Sequence, residues 1–220
     1  MIAGMDSGGV VDSLSPARLA RYIERTSNVT DAIALYEWNT QVSGALFELL
    51  QHAEVVLRNA LSRELVALRC ASGDPAGQWF WHDTDEWFHP WWQPTMVRNL
   101  RNAQSSLARS RRPVTVGRVV AEMSFGFWRY LLTSHYESSL WTPALRRAFP
   151  RKLARETVHE LVEHLNLLRN RVAHHEPIYD RNLQTDVLRI EQLLDWLSPS
   201  SAEWAMGTSR MEEVWAARPR

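Results

Sequence analysis

The run Arg169-Asn170-Arg171-Val172-Ala173-His174-His175 gathers the side chains needed to cut a ribose phosphodiester without a metal ion. An imidazole takes the 2′-hydroxyl proton, or protonates the leaving oxygen, near neutral pH. A guanidinium stabilises the negative charge that grows on the phosphate, and a carboxamide orients a hydroxyl or phosphate oxygen. On a helix Asn170 and His174 stand four residues apart on one face. Arg169 precedes His174 by five residues, about 140° round the helix, so a straight helix does not let the two touch. Three arrangements would close that gap: the long guanidinium arm, a loosened helix end ahead of Pro177, or a second copy of the motif from a symmetric partner. The adjacent His175 is a second imidazole of the same type.

Other chemistries fit these residues less well. Cations in the last turn of a helix are favoured by its dipole alone, but that does not account for Asn170 between two arginines. His159-Glu160 with His164 resembles a zinc-binding helix, yet the second histidine would have to occupy the position of Glu163. Adjacent helical side chains diverge by about 100°, so His174-His175-Glu176 makes a poor metal site. No metal or other cofactor is expected.

The element that carries the motif is the clearest amphipathic pattern in the chain. Val158, Leu161, Leu165, Leu168 and Val172 recur at three- and four-residue steps, which predicts a helix from about Ala154 to His174. Pro177 turns Glu176 away from helical geometry and ends it. Upstream, Ser15-Pro16 opens a short helix to about Arg25. Thr30 is placed to cap a long one from Asp31 to about Arg69, with Ser43-Gly44 as its most favourable kink. Further helices are predicted over Pro94 to Arg109, Val116 to Met123, Phe125 to Leu140, Thr142 to Ala148, Asn182 to Leu197 and, more weakly, Ser201 to Ala217. Residues 1–14 read as a disordered tail. No alternating strand pattern and no internal repeat is present. The expectation is an all-α, single-domain bundle of long antiparallel helices over residues 15–217.

Composition narrows the setting. The 220 residues are 45% hydrophobic and 23% charged, with a formal net charge of zero, so nucleic acid would have to be held by a local patch. A single cysteine, Cys70, rules out an intrachain disulfide and points to a reducing, cytoplasmic compartment. Met1 to Ser15 lacks the pattern of a signal peptide, and no window is long and apolar enough to span a membrane. Between Trp87 and Ala121 there are arginines 98, 101, 109, 111, 112 and 118 and no acid. Of these, Arg98, Arg101, Arg109, Arg111 and Arg112 are candidates for tracking an RNA backbone, against the default of solvated surface charge. Eleven tryptophans are unusual for this length. The cluster Trp79, Phe80, Trp81, Trp87, Phe88, Trp91 and Trp92 is better suited to a core or a subunit contact than to base stacking.

L-R-N-R-V-A-H-H-E-P at the end of a long amphipathic helix closely resembles the signature of HEPN ribonucleases, and in particular their Abi-like (abortive infection) branch. Glu54-Val55-Val56-Leu57-Arg58-Asn59-Ala60-Leu61 resembles the upstream helix of that branch. Ser124 to Trp128 through Leu140-Trp141, and Leu145 to Pro150, are similar to it as well, so the resemblance spans roughly residues 15–197. It implies a HEPN-like helical bundle and a homodimer that faces two motifs across one cleft. It further implies metal-independent endoribonuclease activity on an RNA substrate in antiphage defence or a toxin module, with an antitoxin or regulatory protein as a possible further partner. On this resemblance Arg169 is the phosphate-stabilising arginine, Asn170 the polar residue after it and His174 the histidine. His175, Arg171 and Glu54 take supporting places, and Glu54 pairs with either a motif residue or Arg58. The alternative is the same scaffold without catalysis, binding RNA, a nucleotide or a protein partner.

Overall fold

A computed structural model describes residues 7–80 and 92–219. Its spine is one helix of 43 residues, α3 (Val29–Ala71), about 65 Å long at 1.5 Å per residue. Ahead of it lie α1 (Ser7–Leu14) and α2 (Pro16–Ile23). After it come α4 (Pro94–Arg109), α5 (Val116–Glu122), α6 (Phe125–Tyr130), α7 (Arg155–Ala173), α8 (Leu183–Leu197), α9 (Pro199–Gly207) and α10 (Met211–Ala216). No strand occurs among the described residues, and the architecture is an all-α bundle.

Helix α3 packs against α2, α5, α6, α7, α8, α9 and α10, which explains why it is apolar over much of its circumference. Ala32, Leu35, Trp38, Val42, Leu46, Leu50, Leu57, Leu61 and Leu65 are all buried along it. Against them pack Leu19 and Tyr22 of α2, Val158, Leu165 and Leu168 of α7, and Ile190, Leu193 and Leu194 of α8. Helices α3 and α7 run antiparallel, because Glu54 meets Arg169 while Asn39 meets Ile178 beyond the end of α7.

The long helix starts earlier than the sequence pattern places it. Asn28, not Thr30, is the extended residue at its head, and its side chain accepts the Asp31 N–H at 2.9 Å. The helix continues unbroken through Ser43-Gly44. Gly44 serves close approach instead: a Cβ there would stand 3.2 Å from the Arg210 guanidinium, which pairs with Glu48 at 3.0 Å.

Other differences have local causes. From Ser7 onward the expected disordered tail is helical, and Val11 and Leu14 of α1 pack on the core. The helix expected over 125–140 stops at Tyr130 because its carbonyls are captured elsewhere. Thr133 donates its hydroxyl to the Tyr130 carbonyl at 2.8 Å, and the buried Arg155 guanidinium donates to that of Leu132 at 2.9 Å. A 3₁₀ turn (Ser134–Tyr136) and a π turn (Glu137–Trp141) follow. The helix expected over 142–148 is reduced to a 3₁₀ turn, Leu145–Ala148. The last expected helix is two, separated after Gly207, where the Thr208 hydroxyl donates back to the Trp204 carbonyl at 3.0 Å.

Candidate active site

The end of α7 is built as a full hydrogen-bonded stop. His174 is its last, half-helical residue, and its N–H donates to the Asn170 carbonyl at 2.9 Å. The His175 N–H donates to the Val172 carbonyl at 3.0 Å and the Glu176 N–H to the Arg171 carbonyl at 2.8 Å, the paired closure of a Schellman motif. That closure needs a left-handed residue at position 175, and His175 adopts it at φ 57°. Glycine holds such positions without strain, whereas a residue with a Cβ costs about 1 kcal/mol there.

Two side chains from distant parts of the chain, and one from the turn itself, fix the turn that follows. Buried Asn39 on α3 accepts the N–H groups of Ile178 and Tyr179 at 2.8 and 3.1 Å. Arg18 on α2 donates to the His175 carbonyl. The Tyr179 hydroxyl donates to the Arg21 carbonyl at 2.8 Å. Arg171, a motif residue expected in a supporting place, clasps the same turn: it donates to the Pro177 carbonyl at 2.9 Å and faces Glu176 at 3.4 Å. None of these partners is signalled by local spacing, since Asn39 and Arg18 lie 139 and 157 residues from the groups they hold.

The structure brings Arg169 to Glu54 on α3, with Nε 3.5 Å from Oε2 in a half-buried ion pair. The Arg169 Nε is buried and makes no hydrogen bond among the described residues, so the pair orients the guanidinium by charge more than by alignment. Glu54 therefore takes the motif arginine, and Arg58, one turn along α3, has a buried Nε without a hydrogen bond among the described residues. His174 and His175 are exposed, and Asn170 is half-buried. No hydrogen bond or ion pair among the described residues engages the side chains of Asn170 or His174. Because α7 stays helical to Ala173, Arg169 and His174 keep their angular separation within one chain. His175 is the histidine that lines an open cavity of about 600 Å³ between α2, α3 and the end of α7.

The basic residues of α4 and the turn after it form a separate region. Arg98, Arg101, Arg109, Arg111 and Arg112 are all exposed, and none makes an ion pair or side-chain hydrogen bond among the described residues. Arg98, Arg101 and Arg109 share one face, being three and eleven residues apart. No hydrogen bond or ion pair among the described residues joins them to Arg169 or His174. Of the aromatic cluster, Trp79, Phe80 and Trp92 are core residues. Trp79 stacks on Trp92 at 6.2 Å between ring centroids and meets Trp128 edge-on at 5.8 Å. Trp81, Trp87, Phe88 and Trp91 lie outside the described residues.

Helices α7 and α8 are joined beside the motif by a charge cluster. Asp186, buried on α8, accepts from Arg181 Nε at 2.9 Å and meets His164 Nε2 at 2.7 Å. Burial would raise its carboxyl, but the hydrogen bonds and charges of Arg181 and His164 outweigh that and hold it below the usual carboxylate value. Among the described residues no helix is long and apolar enough to cross a membrane.

With this geometry in place, comparison with known families gives one result. The family described as Abi-like protein matches residues 12–180, from α1 to the turn that closes the motif helix. No curated protein matches the chain, and no solved structure does.

Proposed function

The chain belongs to the Abi-like protein family, and on that footing we propose that it is a metal-independent endoribonuclease of the HEPN type acting in abortive infection. One observation carries the reading. Arg169 is held half-buried by Glu54, while on the same helix end Asn170 and exposed His174 have side chains that no partner occupies among the described residues. A structural pair would satisfy these groups; here the oriented cation and the free imidazole are kept available.

The reaction follows from those groups. The His174 imidazole takes the proton of a ribose 2′-hydroxyl, and the 2′ oxygen attacks the adjacent phosphorus. The bond from phosphorus to the 5′ oxygen breaks, and that oxygen receives a proton from a second, protonated imidazole. The products are a 2′,3′-cyclic phosphate and a 5′-hydroxyl. Arg169 balances the charge on the five-coordinate phosphorus. Because Arg169 and His174 diverge on one helix, a symmetric dimer supplies the opposing pair and the second imidazole. The exposed arginines of α4 and the turn after it attract the RNA backbone at longer range.

The test is cleavage of a mixed RNA pool in chelator by the purified chain beside His174→Ala and Arg169→Ala. The expected loss is about 10²- to 10⁴-fold for His174→Ala, the usual contribution of a general acid–base group. Equal cleavage by the wild type and both variants would remove this site from consideration.

A further inference from the structure

The cavity beside the motif is the strongest unassigned feature of the molecule. On α3 its wall is a stripe at helical spacing: Tyr36, Thr40, Ser43 and Phe47. Val172 and Ala173 of α7 close it on the far side, and Arg18 and His175 stand within its lining. We propose that this cavity binds one nucleotide unit of an RNA chain, base inward, beside the phosphate that the motif engages. The inference rests on the ribonuclease reading for its place in the strand, but not for its chemistry.

Four observations support it. A volume of about 600 Å³ lies within the range of small-molecule sites, and such sites combine apolar walls with a few polar groups as this one does. The lining contains an arginine and a histidine and no carboxylate, which suits an anionic ligand and repels none. Phe47 is 38% exposed, although it is a large apolar ring, and Tyr36 lies on the same stripe, so aromatic faces are available for stacking a base. The Ser43 hydroxyl makes no hydrogen bond among the described residues, and the carboxamide nitrogen of Asn39 remains to donate once its oxygen has taken Ile178 and Tyr179. These are polar groups of the kind that read a base edge.

The strained turn fits the same account. His175 occupies a left-handed position at φ 57° and lines the cavity. Arg18 fixes the carbonyl of that same residue. A glycine would close the helix without strain, so the conformation is kept together with the side chain.

The experiment uses the full chain and two probes. One is the set of four nucleoside 5′-monophosphates. The other is a fluorescein-labelled 2′-O-methyl oligonucleotide, which lacks the 2′ proton and cannot be cut. Phe47→Ala removes an exposed ring and Ser43→Leu fills the cavity; thermal melting establishes that each is folded. Both are expected to weaken mononucleotide binding by about tenfold. His174→Ala is expected to bind like the wild type while losing cleavage. Loss of binding in both cavity variants, in a chain that cuts no RNA, would leave the pocket standing and overturn only the ribonuclease reading. Cleavage by the wild type with unchanged nucleotide affinity in both variants would overturn the pocket alone. Absence of mononucleotide binding to the wild type overturns it too, as does equal displacement of the oligonucleotide by a polyglutamate peptide, which would reduce the site to unspecific charge.

Discussion

Helices α3 and α7 end in the same hydrogen-bonded closure with different residues at its key position. At the end of α3 the Gly73 N–H donates to Cys70 at 3.1 Å and the Asp74 N–H to Arg69 at 3.3 Å. Gly73 supplies the left-handed turn at φ 102°, with open space around the site of a Cβ. At the end of α7 the same pair of bonds is closed by His175. The backbone problem is identical, so the difference lies in the side chain. One terminus stops a helix with the residue that does so at least cost. The other accepts strain to present an imidazole, and surrounds the strained turn with Asn39, Arg18 and Arg171 to hold it. The end of α4 closes likewise on a cation, Arg111 at φ 53°, within the basic region. Left-handed non-glycine residues also occur at Ser15, after α1, and at Lys152, so it is the paired closure at Arg111 and His175 that falls in the two regions proposed to meet RNA.

The largest test of that contrast removes the support. Asn39→Ala deletes the buried acceptor of two backbone N–H groups, and leaving both unpaired costs about 3 kcal/mol. For a chain of this size that lowers the melting temperature by roughly 10 °C. Hydrogen exchange should rise at Ile178 and Tyr179 and remain unchanged at the end of α3. A uniform rise along both helices would show that the two termini are not held independently.

A smaller effect comes from exchanging the two solutions. His175→Gly relieves the left-handed strain and should stabilise the fold by about 1 kcal/mol, whereas Gly73→Ala should destabilise it by a similar amount. Melting curves of the two variants check the sign of each. If His175→Gly gains stability but loses nucleotide binding or RNA cleavage, strain is being maintained for function. If it gains stability and loses neither, His174 alone carries the chemistry and the strained residue has no role there.

Part of this was legible in the sequence and part was not. The bounds of α4 follow directly from Pro94 at its start and the Arg-Arg-Pro break after it, and those of α7 from its apolar spacing and Pro177. Both are signals carried within a few residues. Residues 131–150 look equally helical by composition, but Arg155 takes the Leu132 carbonyl from across the fold, and no local pattern announces that. The motif is similarly local and readable. Its surroundings are not, because Arg18, Asn39 and the stripe from Tyr36 to Phe47 are joined to it only by the antiparallel packing of α3 and α7. The pairing of Glu54 with Arg169 could be framed from sequence as one of two choices, and packing decided between them.

The smallest predicted effect separates the two helices by pH. His159, within α7, has a half-buried ring whose Nε2 makes no hydrogen bond among the described residues. Burial lowers its pKa below 6.5, against the opposing pull of Glu163. The folded chain therefore takes up a proton less readily than the unfolded one, so stability is present above 6.5 and is lost as pH falls from there toward the lowered value. At the end of α3 the relevant group is Asp74. Burial pushes its carboxyl up, but the N–H groups of Ala76 and Gln78 and the Arg69 guanidinium hold it below 3.8. Its contribution is present above 3.8 and is lost only as pH falls through that lower value. Mild acid should thus loosen α7 while the end of α3 stays closed. His159→Gln removes the titrating ring and should flatten the decline in melting temperature below 6.5, whereas Asp74→Asn should lower stability above 3.8 and flatten only the strongly acid limb. An unchanged decline in His159→Gln would place the acid sensitivity of α7 elsewhere, with the His164 and Asp186 cluster as the next group to remove.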